Sequence, residues 1–87
     1  MKGRYAVSAA GRGKGRVYAI TEVIDGEYVL IADGLHRNQR SPKRKKLKHL
    51  RLLPVHAELP CTDEELAAQI ANVNLSYFKG RDYSAKG

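Results

Sequence analysis

Between Gly11 and Arg16 the chain alternates three glycines with three cations, Gly11-Arg12-Gly13-Lys14-Gly15-Arg16. Glycine at every second position lets a backbone bend sharply and approach a ligand closely, and the cations between would meet negative charge. Anion chemistry is therefore what this stretch is equipped for. It is not one of the common nucleotide loops. A Walker loop needs Gly-x-x-x-x-Gly-Lys-Ser/Thr, and a dinucleotide loop needs Gly-x-Gly-x-x-Gly opening a helix, whereas Val17-Tyr18-Ala19-Ile20 behind Gly15 is strand-like. Two readings are left. Either backbone amides approach phosphate while Arg12, Lys14 and Arg16 neutralise it, or the segment is a solvated hairpin loop.

A second set of cations, Arg37, Arg40, Lys43, Arg44, Lys45, Lys46, Lys48 and Arg51, runs on without an acid among them. Like charges so close repel one another and call for a polyanion. Each phosphate they neutralise would steepen the log-log salt dependence of binding by roughly 0.7 to 0.9. Charge alone does not separate RNA from DNA or from anionic lipid. It is, however, segregated along the chain: residues 1–54 hold thirteen cations and four carboxylates, residues 55–87 three and five, within a total of +7. The first part is the one that should face a polyanion.

Other chemistries find little support. His36, His49 and His56 show no metal-ligand spacing and have no cysteine or carboxylate cluster beside them. His49, within Lys-His-Leu, is placed to hydrogen-bond structurally or to touch RNA. Glu22, Asp25, Glu27 and Asp33 fall at strand ends and turns, with no paired nucleophile and base. The chain reads as a non-enzyme without cofactor, metal or small-molecule substrate. Its single cysteine, Cys61, cannot form an internal disulfide. No apolar run reaches the roughly 18 residues of a membrane span, and the amino end lacks a signal-peptide core. A soluble, cytoplasmic protein with no membrane partner is expected.

These residues need elements to hold them. At 87 residues, one small domain is the limit, and a compact barrel or sandwich with an added helix fits it. Residues 4–10 alternate as a first strand, with Tyr5 and Val7 on one face. Arg16 to Ile24 and Tyr28 to Ala32 are β-branched and aromatic runs separated by Asp25-Gly26, a hairpin signal suited to a type I′ turn. Alternation from Val17 to Ile24 is imperfect, which calls for cover on both faces or for a bulge. Asp33-Gly34 ends the next strand. Pro42 bars a central strand position. Lys46 to Leu53 is expected to be a closing strand, with a short helical turn before it and Pro54 at its end. Thr62 and Glu65 form a capping box, and Leu66, Ile70 and Val73 give a helix over about 62–74 a narrow apolar stripe. A loose tail follows, in which Tyr77, Phe78 and Tyr83 among Lys79, Arg81 and Lys86 could stack on unpaired bases or pack back onto the domain.

Three pieces in order, Val7-Ser-Ala-Ala-Gly-Arg-Gly-Lys-Gly-Arg16, Val23-Ile-Asp-Gly-Glu-Tyr-Val-Leu-Ile-Ala-Asp-Gly34 and Lys43-Arg-Lys-Lys-Leu-Lys-His-Leu50, resemble the KOW motif. The motif occurs in large-subunit ribosomal proteins and bacterial transcription elongation factors, and the likeness is greatest to the archaeal and eukaryotic ribosomal group and its small bacterial relatives. The resemblance covers about residues 4–54. It implies a mainly β fold, a small SH3-like antiparallel barrel over residues 1–56, with the carboxy-terminal α-helix and tail in 57–87. It also implies RNA binding, often to ribosomal RNA. Gly11 and Gly15 would shape the loop, Arg12, Lys14 and Arg16 would meet phosphate, and Lys43, Arg44, Lys45, Lys46 and Lys48 would extend the footprint; Gly13, Arg37, Arg40 and His49 complete the expected RNA-binding set. Many KOW motifs carry another glycine where this chain has Val17 and Tyr18. The helix, outside the motif, could contact ribosomal proteins. A protein-binding adaptor of the elongation-factor kind and a DNA-binding module are the competing expectations.

Overall fold

Four successive residues, Val17 to Ile20, are buried, whereas a strand covered on one face alone buries only every second residue. The structure, a computed structural model, describes residues 1–74; the expected tail, with Tyr77, Phe78 and Tyr83, lies outside them. It consists of β1 (Arg4–Ser8), β2 (Val17–Val23), β3 (Tyr28–Ala32), β4 (Lys43–Lys46), a 3-10 turn (Leu47–His49), β5 (Leu50–His56) and α1 (Asp63–Val73). β2 is covered on both faces. Val17 and Ala19 pack with Tyr5, Ala32 and Leu53 against Leu66 and Ile70 of α1, while Tyr18 and Ile20 pack with Val29 and Ile31 on the other face. Between Ile20 and Glu22 the register slips, and beyond this bulge Glu22 and Val23 lie exposed. Both explanations for the imperfect alternation therefore hold.

All strand pairs are antiparallel, in the order β4-β3-β2-β1-β5. Laid flat, four strand spacings would hold β4 and β5 about 19 Å apart. Only the 3-10 turn Leu47–His49 separates them in the chain, and the links from Lys46 to Leu50 reach at most about 14 Å. The sheet must curl until its edges approach, and the result is a small SH3-like barrel. Tyr18, Ile20, Val29 and Ile31 fill its interior, with Leu47, Leu50 and Leu52 packed against them.

Two local expectations need correction. The Asp25-Gly26 hairpin forms, but without a type I′ turn: Gly26 is not among the glycines with positive φ, and among the described residues no other residue type has positive φ. Instead the Asp25 carboxylate accepts hydrogen bonds from the Glu27 and Tyr28 amides at 2.8 Å each, a side-chain mimic of a backbone turn. The closing strand expected from Lys46 to Leu53 is divided by the 3-10 turn, and β5 runs through Pro54 to His56. Proline is tolerated there because β5 is an edge strand whose register with β1 is irregular between Arg4 and Ala6. At that irregularity the Arg4 Nε donates to the Leu53 carbonyl at 2.8 Å.

The capping box is present. Glu65 N donates to Thr62 Oγ1 at 3.0 Å and Thr62 N to Glu65 Oε1 at 2.9 Å. α1 then lays Leu66 and Ile70 against the outside of the barrel, with Val73 at the margin. Gly34, at φ +79°, lets it come this close: a Cβ there would collide with the Asp63 carbonyl and lie 3.0 Å from Ala67 N. Among the described residues no helix is long and apolar enough to cross a membrane.

Candidate nucleic-acid interface

The glycine-rich loop is held as a series of turns. Gly15 N donates to the Ser8 carbonyl at 2.8 Å, Lys14 N to Gly11 at 3.1 Å and Arg16 N to Gly13 at 2.9 Å. Gly11 and Gly15 have φ of +84° and +88°, which side chains resist. Gly13 fits closely for a different reason, since a Cβ would sit 2.5 Å from the Tyr18 hydroxyl and force that ring to shift. The loop is thus seated on Tyr18 and turns its cations outward, leaving Arg12, Lys14 and Arg16 exposed.

The loop after β3 is built by one buried carboxylate. Asp33 Oδ1 accepts from Leu35 N at 2.9 Å and Arg37 N at 2.8 Å, and Asp33 N returns a hydrogen bond to the Arg37 carbonyl at 2.9 Å. Leu35, His36 and Arg37 are left exposed at the tip of this turn. α1 braces the same loop, because Gln39 N donates to Asp63 Oδ1 and Gln39 Nε2 to the Cys61 carbonyl, each at 2.9 Å.

Between the two loops lies a cleft of about 180 Å³ lined by Arg12, Gly13, Arg16, Tyr18, His36, Arg37 and Lys43. Four cations converge from three separate segments and no carboxylate lines the cleft. Like charges brought together in this way raise the local concentration of anions, and the guanidinium groups have the fork geometry that fits phosphate.

Strand alternation disperses the run from Lys43 to Lys48. Lys43 and Lys45 pair with Ile31 and Val29, while Arg44 and Lys46 pair with Leu30 and Tyr28, so the first two share the interior-facing side of β3 and the other two lie opposite. Lys43 reaches the cleft. Lys45 Nζ donates to the Ala10 carbonyl at 2.9 Å, fastening β4 to the glycine loop; burial, and then the charge of Lys43, pull its pKa down. Arg44 lies 4.1 Å over the Tyr28 ring, a cation–π contact. Lys46 and Lys48 line a separate groove with Gly26, Glu27 and Leu47. Lys14 and Arg40 are exposed but do not line the cleft. The His49 carbonyl accepts Ala9 N at 2.8 Å.

The cleft thus gathers Arg12, Gly13, Arg16, Arg37 and Lys43 from the expected set and adds Tyr18 and His36. The added pair had a faint signal in the sequence. Tyr18 is the first interior residue behind the glycine loop, and His36 stands beside Arg37 just after Asp33-Gly34.

The curled five-strand sheet, its one-turn closure and the cationic loop ahead of β2 define a KOW-type SH3-like barrel. No family model matches the chain. It is, however, 33% identical over 78 residues to the large ribosomal subunit protein eL14 of Staphylothermus marinus, a match spanning 87% of this chain and 81% of that protein. The chain belongs to the eL14 family of large ribosomal subunit proteins.

Proposed function

We propose that the protein is a cytoplasmic, non-enzymatic component of the large ribosomal subunit that binds ribosomal RNA, with the cleft between the glycine loop and the β3–β4 loop as its main phosphate site. The observation that carries this reading is the convergence of Arg12, Arg16, Arg37 and Lys43 on one cleft without an acid among its lining residues. Membership of the eL14 family supplies the context. Shape and phosphate contacts dominate over base reading, because the groups that converge are cations suited to backbone oxygens. Lys14 and Arg40 widen the positive surface around the cleft.

The helix enters this reading chiefly as a brace. Leu66 is fully buried and Ile70 nearly so, so the apolar stripe is already occupied by the barrel. A contact with a neighbouring ribosomal protein would use the opposite face, where Glu64, Ala68, Ala71 and Asn72 are exposed. Titrating ribosomal RNA fragments at several salt concentrations tests the proposal. Replacing Arg12, Arg16, Arg37 and Lys43 together with Ala should flatten the log-log salt slope by roughly 3. An unchanged slope with unchanged affinity would overturn the assignment of the cleft.

A further inference from the structure

Beside the cationic cleft runs a second groove, of about 320 Å³, between the β3–β4 loop and α1. The two share Arg16 and His36 and differ in chemistry. The second is walled mainly by Val17, Leu35, Ala67, Ile70 and Ala71, with Asp33 and Asn74 also lining it. A single exposed leucine on a surface is ordinary. Leu35 is unusual in being 75% exposed while its backbone is fixed: its amide is held by buried Asp33, and the next residue but one, Arg37, is held by the same carboxylate oxygen. The turn therefore presents an apolar side chain toward one groove and a guanidinium toward the other, with the His36 imidazole at the junction.

We propose, on the reading that this protein binds RNA, that the paired grooves take one unpaired nucleotide. Its phosphate lies among Arg12, Arg16, Arg37 and Lys43, and its base leaves the stack to lie over Leu35 and His36 against the side of α1. Charge complementarity favours this occupant, since a nucleotide joins an anionic group, for the cationic cleft, to a planar base that can lie along the second groove. A fully paired helix offers its phosphates but keeps its bases stacked, whereas bulges and loops release bases that can stack on an imidazole such as that of His36. The RNA partner is accordingly a helix interrupted by a bulged nucleotide.

The test uses the full chain and two synthetic RNA hairpins, one fully paired and one with a single bulged uridine, with binding followed by fluorescence anisotropy. The unaltered protein should prefer the bulged hairpin by about tenfold, within the range for stacking one base. Leu35→Ala with His36→Ala, at exposed positions where melting should be unchanged, should abolish the preference, and Leu35→Ala alone, at a side chain outside the cationic cleft, should reduce the preference yet keep the salt-sensitive affinity for the paired hairpin. Arg12→Ala with Arg37→Ala should weaken both hairpins and keep the preference. Equal affinity of the unaltered protein for the two hairpins, or a preference that survives the Leu35 and His36 changes, overturns the proposal. Binding of neither hairpin overturns the RNA reading and this inference with it. A 4-thiouridine placed at the bulge should crosslink to the peptide carrying residues 35–37, and crosslinking only elsewhere overturns the placement of the base.

Discussion

A methyl group at residue 34 would meet the backbone of the first turn of α1, and φ of +79° there disfavours any side chain. Both effects act together in Gly34→Ala, which should lose about 2–4 kcal/mol and lower the midpoint of a thermal melt by more than 10 °C or so for a domain of this size. Asp25 makes a pH-dependent contribution of known sign. The amides of Glu27 and Tyr28, in that order, lower its pKa below 3.8. A carboxylate with a depressed folded-state pKa stabilises the fold above its unfolded value and loses that effect as pH falls through the lowered one. In urea melts at stepped pH, the stability gap between the unaltered chain and Asp25→Ala should therefore be present above about pH 4 and shrink below it; a gap constant into strong acid would refute the charge assignment. Side-chain capping of this kind was partly legible in the sequence. Thr62 and Glu65 are three residues apart and need nothing else, so their reciprocal bonds followed directly from spacing. Asp25-Gly26 announced a turn but not its type, because the choice depends on how many residues the flanking ladders leave over.

At the level of elements, the informative case is β4. As a string, Lys43-Arg44-Lys45-Lys46 is a single block of charge, and as a strand it is two pairs on opposite sides, one member of which is spent on the Ala10 carbonyl. Period-two geometry divides what composition unites, and β4 was not recognisable as a strand because four consecutive cations carry no hydrophobic alternation. The consequence is measurable, since Lys43→Ala and Lys46→Ala remove the same charge from positions three residues apart. The first should reduce the salt slope of RNA binding by about 1 and the second should leave it nearly unchanged. Equal effects would mean that RNA senses only the overall charge of the strand. β2 teaches the complementary point: its mixed alternation was readable as cover on two faces, and the identity of the second cover, α1, was not, because the strand pattern records burial without recording the partner.

For the whole molecule, barrel and helix behave as one unit. Tyr5, Val17 and Leu53 are 3%, 4% and 4% exposed and share one core cluster with Leu66 and Ile70 of the helix. Uncovering such side chains costs roughly 1.5–3 kcal/mol each, comparable in sum with the entire stability of a small domain. A chain ending at Glu58 should show no cooperative melting transition by circular dichroism, and a sharp transition would establish the barrel as an independent domain. The strand order was beyond the sequence, since it depends on β1 pairing with β5 some 45 residues later and on a three-residue turn forcing the sheet to curl. The hydrogen bond from Gln39 N to Asp63 carries this interdependence into the timing of synthesis. Every cation of the cleft precedes residue 44 in the chain, yet the loop presenting Arg37 and Leu35 is steadied by residues from the start of α1. A nascent chain therefore carries all the cations of the cleft before the residues that steady the loop presenting Arg37 have been made.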